Sequence, residues 1–215
     1  MRRLLAVAGG AAAVWIGGGY WLRDWGATKG ECRAELPGDD LVAEPADQTT
    51  RAVTVLAPPA QVWPWLVQLG QDRGGFYSYD WLENLFGLGI CSADRIHPEW
   101  QELQAGDTVR LIPRGRFGLP EGLALPVARV EPGRCIVLRE QPPAMPWDAV
   151  WSFHVVAHGG DRSRVLVRSR SARGPAAARA VARVMDPVTL LMTRRMLLGV
   201  KDRAEVSYMA MTSAA

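Results

Sequence analysis

Cysteine and histidine are scarce here, three of each in 215 residues. Cys32, Cys91 and Cys135 have no close spacing, and no CxxC pair or Cys/His cluster occurs, so neither a zinc site nor a disulfide framework is indicated. A lone Cys91–Cys135 bridge would need an oxidising compartment. The chain has no glycine-rich phosphate loop and no nucleophile–histidine–acid series. Nor is charge of one sign in large excess. The net +3 does not argue for nucleic acid, and no reading motif accompanies it. The chain therefore reads as needing no cofactor and no metal. With 48% hydrophobic and 22% charged residues, disorder is not the default, and the length fits one domain with an appendage.

What is present begins with a charge-free run from Leu4 to Leu22, preceded by Arg2-Arg3. At helical rise this run spans about 28 Å, roughly one hydrocarbon core. Trp15, Tyr20, Trp21 and Trp25 cluster toward its outer end. A single-pass anchor over residues 1–25, with the N-terminus cytoplasmic, fits the length and flanking charge. A cleaved signal peptide fits the Arg-Arg start but lacks a small-x-small site. A glycine-rich buried segment is the third reading, since Gly9, Gly10, Gly17, Gly18 and Gly19 weaken helix propensity. Arg23 to Arg33 is also slightly basic, which leaves open the side on which the domain lies. Residues 26–48 read as a polar linker, and 49–210 as the folded domain.

The densest aromatic stretch follows an early strand and helix. Phe76, Tyr77, Tyr79, Trp81 and Phe86 fall together behind Gly74-Gly75. Such a turn can wall an apolar cavity or plug the end of a core. Thr50 to Leu56 predicts a strand stopped at Ala57-Pro58-Pro59, and Val62 to Leu69 a helix ending at Gly70. Ser78 is placed to cap a second helix over 79–86. Strands are predicted over 107–113, 124–130, 134–139, 150–157 and 163–171, the last with Val165 and Val167 on one buried face. A helix follows over 176–205 with Val181, Val184, Met185, Val188, Leu191, Met192 and Leu198 as its apolar stripe. Asp186-Pro187 predicts a kink or a restart within it.

Strand, two short helices, several antiparallel strands and a long C-terminal helix is the element order of the helix-grip fold. The chain resembles the SRPBCC superfamily, the START-like and polyketide cyclase/dehydrase-like proteins. It is most similar to bacterial membrane-anchored members with Trp-x-Trp-Leu-x-Gln-x-Gly, then Arg-Gly-Gly-x-Tyr-Ser-Tyr-Asp-Trp-Leu-Glu, then Pro-Glu-x-Gln-x-Leu-x-x-Gly-Asp. Here Trp63 to Gly70, Arg73 to Glu83 and Pro98 to Asp107 supply those stretches. The resemblance covers about 50–210. It implies an α+β fold in which a curved antiparallel sheet wraps the C-terminal helix around an apolar cavity. It does not name a reaction, because lipid carriers, hormone receptors and cyclases share the fold.

The expected function is therefore non-catalytic binding or carriage of a hydrophobic small molecule or lipid by a membrane-tethered domain. Phe76, Tyr77, Tyr79, Trp81, Phe86, Val184, Val188 and Met192 are its expected ligand-binding residues. One alternative is a cyclase/dehydrase-like enzyme using Tyr77, Asp80, Glu83 and His97. Asp80 and Glu83, three apart, would share a helix face and raise one carboxyl pKa. They can equally cap local backbone or pair with Arg73 and Arg95 to hold the turn, the commoner origin of such clusters. Another alternative is an interaction module with a filled core. The tract from Arg162 to Arg203 carries eleven Arg and Lys, and it reads either as a solvated face or as a contact for anionic lipid head groups.

Overall fold

The computed structural model describes residues 22–85, 87–140 and 147–213. The apolar run at 4–22, except Leu22, and Phe86 lie outside them. Among the described residues no helix is long and apolar enough to cross a membrane.

Six strands form one antiparallel sheet: β1 (Asp47–Val55), β2 (Thr108–Ile112), β3 (Leu123–Glu131), β4 (Cys135–Glu140), β5 (Ala149–Ala157) and β6 (Ser163–Ser171). Their order is β1-β6-β5-β4-β3-β2. Strands β2 to β6 therefore meander, and β1 joins at the β6 edge. Helices α1 (Lys29–Arg33), α2 (Pro59–Val67), α3 (Asp80–Leu85) and α4 (Ala176–Ser213) complete the described regular structure, with two short 3-10 turns. An α+β sheet with a long C-terminal helix on one face fits the helix-grip arrangement.

Local chemistry sets the boundaries. Pro58 is extended and Pro59 opens α2, where a missing N–H costs nothing. That helix ends at Val67, short of the expected Gly70, because Gly70 exchanges backbone hydrogen bonds with Gly75 instead. Ser78 does not cap α3. Its hydroxyl donates to the Met192 carbonyl, 3.2 Å away on α4. Helix α4 runs unbroken through Pro187 and extends to Ser213.

The inner face of the sheet carries Val53, Val55, Ile136, Leu138, Phe153, Val155, Val165 and Val167. They pack against Val62, Trp65 and Leu66 of α2 and against Met196, Leu197, Val200 and Ala204 of α4. Only the part of α4 from Leu190 onward is held in this way. Of residues 176–189, none whose side chain is described is buried, whereas Leu190, Thr193, Met196, Leu197, Val200 and Ala204 all are. The expected apolar stripe was thus placed out of phase: Val184, Met185 and Leu191 are exposed.

The outer face is covered too. Residues 26–48, expected as a linker, fold across it. Val42 packs with Cys135, Val137 and Val150 in a second apolar cluster. Trp25 O accepts from Ala52 N at the free edge of β1, and a Cβ on Gly26 would stand 2.1 Å from the Ala52 carbonyl oxygen. Thr28 and Glu31 form a reciprocal capping box on α1. The Glu31 carboxylate also takes two hydrogen bonds from Arg164, which hold its pKa down to about 2.

Arg168 is the main tie. Its side chain is 1% exposed, and it pairs with Asp39 at 2.5 Å. It also donates to the carbonyls of Glu31, Cys32 and Ala34 and to Thr50 Oγ1. Strand β6, expected to bury one face, consequently buries both along most of its length. The three cysteines are free, with Cys91 exposed and Cys135 buried.

Removing one partner of a buried pair strands the other charge. Asp39→Ala should therefore lower the unfolding free energy by roughly 3 kcal/mol in urea melts. Adding Arg168→Met to that variant should recover part of the loss. The single variant should also speed proteolytic cleavage within 34–46, and an unchanged cleavage rate would show that Arg168 is not the tie.

Candidate functional site

The turn behind α2 is built by close approach. Gly74 donates to the Gln68 carbonyl, and a Cβ there would come 2.8 Å from that oxygen and 2.9 Å from Tyr77 Oη. Gly75 takes a positive φ of 70°. Tyr77 follows with φ 54°, uncommon for a bulky side chain. Its surroundings hold it there. Ser92 Oγ accepts from Tyr77 N at 3.0 Å, Gln68 Nε2 donates to Tyr77 Oη at 2.9 Å, and Trp65 meets its ring edge-on. The Arg203 guanidinium lies 4.5 Å over the ring, and a Cβ on Gly199 would stand 2.2 Å from the Tyr77 carbonyl oxygen. This turn is where α4 locks onto the rest of the domain.

Beside it, an apolar recess lies on the inner face of the sheet. Leu66, Leu69, Phe76, Leu103, Val109, Ile136, Leu138, Trp151 and Phe153 line it, with a free volume of about 10 Å³. That is space for about one water. No polar side chain lines it. Phe76 and Trp151 are its half-buried members.

The expected ligand-binding residues scatter around this recess. Phe76 lines it. Tyr77 is buried as a core plug, with its hydroxyl pKa pushed up to about 12 by burial. Tyr79 is half-buried, and Trp81 points into solvent. Val184 is exposed, while Val188 and Met192 are half-buried on α4. None of these last five lines the recess. The strand residues supplying most of its wall were missed. Their signal is alternation across one hairpin, with Ile136 opposite Phe153 and Leu138 opposite Trp151.

The acid/base candidates do not converge on it either. Both Asp80 carboxylate oxygens accept from Ser92, at 2.6 and 2.8 Å. His97 stacks on Trp100 and meets Glu99 at 3.1 Å, outside the recess. His154 faces the outer cluster, bonded to Ser152, and burial pushes its pKa down to about 4. Neither Asp80 nor Glu83 pairs with Arg73 or Arg95, and Arg73 donates instead to the Trp100 carbonyl. Glu140, overlooked in the sequence, follows Leu138 on the same face, and burial raises its carboxyl pKa.

Glu83 is the anomaly. It is buried, and neither carboxylate oxygen finds a partner among the described residues. Burial first, then the Asp80 charge, raises its pKa to about 7. Among the described groups of the basic tract, Arg164, Arg168 and Arg170 pair with Glu31 and Asp39, Lys201 with Glu205, and Arg195 with Asp202.

No protein-family model matches the chain, and no curated protein matches it significantly. Among solved structures it is similar to the hypothetical protein jhp0584 from Helicobacter pylori, at 14% identity and TM-score 0.49, covering 83% of this chain and 99% of that one. It is also similar to the Aha1 dimer structure from Colwellia psychrerythraea, at 15% identity and TM-score 0.43, with 74% and 97% covered. Protein MLL2253 from Mesorhizobium loti is similar at 14% identity and TM-score 0.40, with 74% and 98% covered. These likenesses are distant, and the fold description rests on the strand order and closing helix of the chain itself.

Two expectations follow. Gly199→Ala should cost about 2 kcal/mol or more in unfolding free energy, since the clash is with backbone. A Glu83 pKa raised from 4.5 to about 7 means the folded state keeps a proton that the unfolded chain has released, so stability falls as pH rises through that interval and then levels. Glu83→Gln should match wild type near pH 4 and exceed it by roughly 3 kcal/mol at pH 8. Parallel stability–pH curves for the two proteins would overturn the assignment.

Proposed function

We propose that this domain binds a hydrophobic small molecule or lipid in the apolar recess, without catalysis, while residues 4–22 hold it at a membrane. The observation that carries the reading is the recess lining: nine apolar side chains on the concave face and no polar one. Such a wall selects by shape and apolar burial, and offers no group to move a proton or attack a carbonyl. Entry requires displacement of the wall, and its half-buried members Phe76 and Trp151 are the side chains placed to move. The cyclase/dehydrase-like alternative has weaker support, because Tyr77, Asp80, Glu83 and His97 lie away from the recess, and Tyr77 and Asp80 are occupied by structural bonds.

The filled-core interaction module is favoured by one observation, the free volume of about 10 Å³. The full chain, purified without delipidation and examined by native mass spectrometry with lipid extraction, separates the two. A discrete stoichiometric apolar mass is expected. Trp151→Ala, which widens the recess, should raise binding of an apolar fluorescent probe several-fold. An empty protein whose Trp151→Ala variant also ignores the probe would leave the filled core as the function-bearing reading.

A further inference from the structure

Helix α4 carries a ridge of apolar side chains that nothing among the described residues covers. Val184 is 66% and Leu191 is 40% exposed, seven residues apart and so on one face two turns along. Met185 is also exposed, and Val188 between them is half-buried. Two elements flank this ridge. On one side Ser78 donates to the Met192 carbonyl, which seats the start of α3 against α4. From α3, Trp81 and Leu85 stand one turn apart with 69% and 73% exposure. On the other side the Arg194 guanidinium lies 4.7 Å over the Trp25 ring. Trp25 is therefore seated against α4 one turn from Leu191.

Charge follows the same geometry. Arg183 precedes Arg194 by eleven residues, three helical turns, and so continues the flank where the N-terminal segment docks; Arg179 lies one turn further along it, and both are exposed. Apolar side chains including a tryptophan, bordered by arginines, are what an interfacial surface needs. The rings and aliphatic groups enter the head-group boundary, and guanidinium groups meet anionic lipid.

We propose that the outer side of this helical layer (Trp81 and Leu85 of α3, with Val184, Met185 and Leu191 of α4) seats on the surface of an anionic lipid bilayer. The inference rests on the membrane-anchoring reading of residues 4–22, and it adds which face meets the lipid. The occupant is a bilayer because the apolar run is one hydrocarbon core long, and Trp25, which follows it closely in the chain, is seated beside this ridge. The opposite face of the sheet is closed by residues 28–46 and their ion pairs.

The test uses the full chain with Cys32 and Cys91 replaced by serine. A single cysteine is introduced as Leu85→Cys, Leu191→Cys or Val156→Cys and labelled with an environment-sensitive fluorophore. Val156 is exposed on the outer face of the sheet and serves as the control. Each protein is reconstituted into vesicles of phosphatidylcholine and phosphatidylglycerol, and flotation is measured beside quenching by nitroxide-bearing lipid. The expected result is flotation in all three, with quenching at positions 85 and 191 at least three-fold that at 156. Arg179→Glu with Arg183→Glu should reduce that quenching without reducing flotation. Flotation with equal quenching at the three positions would overturn the proposal while leaving the anchor intact. Loss of flotation would sink the anchor and the proposal together. Labels at 85 and 191 shielded equally in detergent, with cross-linked dimers, would assign the face to a second copy of the chain and overturn the bilayer.

Discussion

A guanidinium withdrawn almost wholly from water sets the terms for this domain. Arg168 lies on the outer face of β6, and burying an arginine costs several kcal/mol unless its hydrogen bonds and charge are met. Apart from Thr50 Oγ1 on β1, the partners come from one segment. Asp39 supplies the carboxylate, while Glu31, Cys32 and Ala34 supply carbonyl oxygens. Without residues 28–42 the sheet would expose this charge together with Val137, Val150 and Cys135. The N-terminal segment is thus a structural layer, and the sheet is sandwiched. That layer also fixes where the chain leads toward its apolar run, since Asp24 and Trp25 bond to the free edge of β1.

On the other face, two different forces divide the labour along α4. The C-terminal half is held by apolar burial and by the Tyr77–Gly199 approach, where only a missing Cβ lets turn and helix touch. Residues 176–189 have no comparable hold. The aromatic turn serves the fixed end. Its strained Tyr77 is over-determined by Gln68, Ser92, Trp65 and Arg203, so it plugs the end of the core, one of the two readings open to the sequence.

Glu83 is the counterweight to that rigidity. A buried carboxyl without a partner is tolerated because it can stay protonated, at the cost of coupling α3 to pH. Its neighbour Asp80, three residues earlier, is instead fully occupied by Ser92. Two acids on one short helix have opposite environments, and their spacing in the chain carries no hint of which is which.

Much of the fold was legible in the residues themselves. The β-branched runs and the Pro58-Pro59 stop placed the strands and α2 to within a few residues, because those signals are local. The long closing helix was legible from its periodicity, but its phase was not. Several apolar faces are available on α4, and only packing on the sheet selects Leu190, Met196, Leu197 and Val200 over Val184 and Leu191. The recess was invisible for the same reason: Ile136, Leu138, Trp151 and Phe153 become one wall only through the β4–β5 register. Residues 26–48 looked like a linker because their composition is polar and glycine-containing, and their role follows from ion pairs made more than a hundred residues away. The sequence by itself determined the elements and their order, which depend on neighbours along the chain. The tertiary structure decided which faces meet, which charges are spent within the fold, and which apolar side chains stay exposed, since those depend on contacts that local composition does not encode.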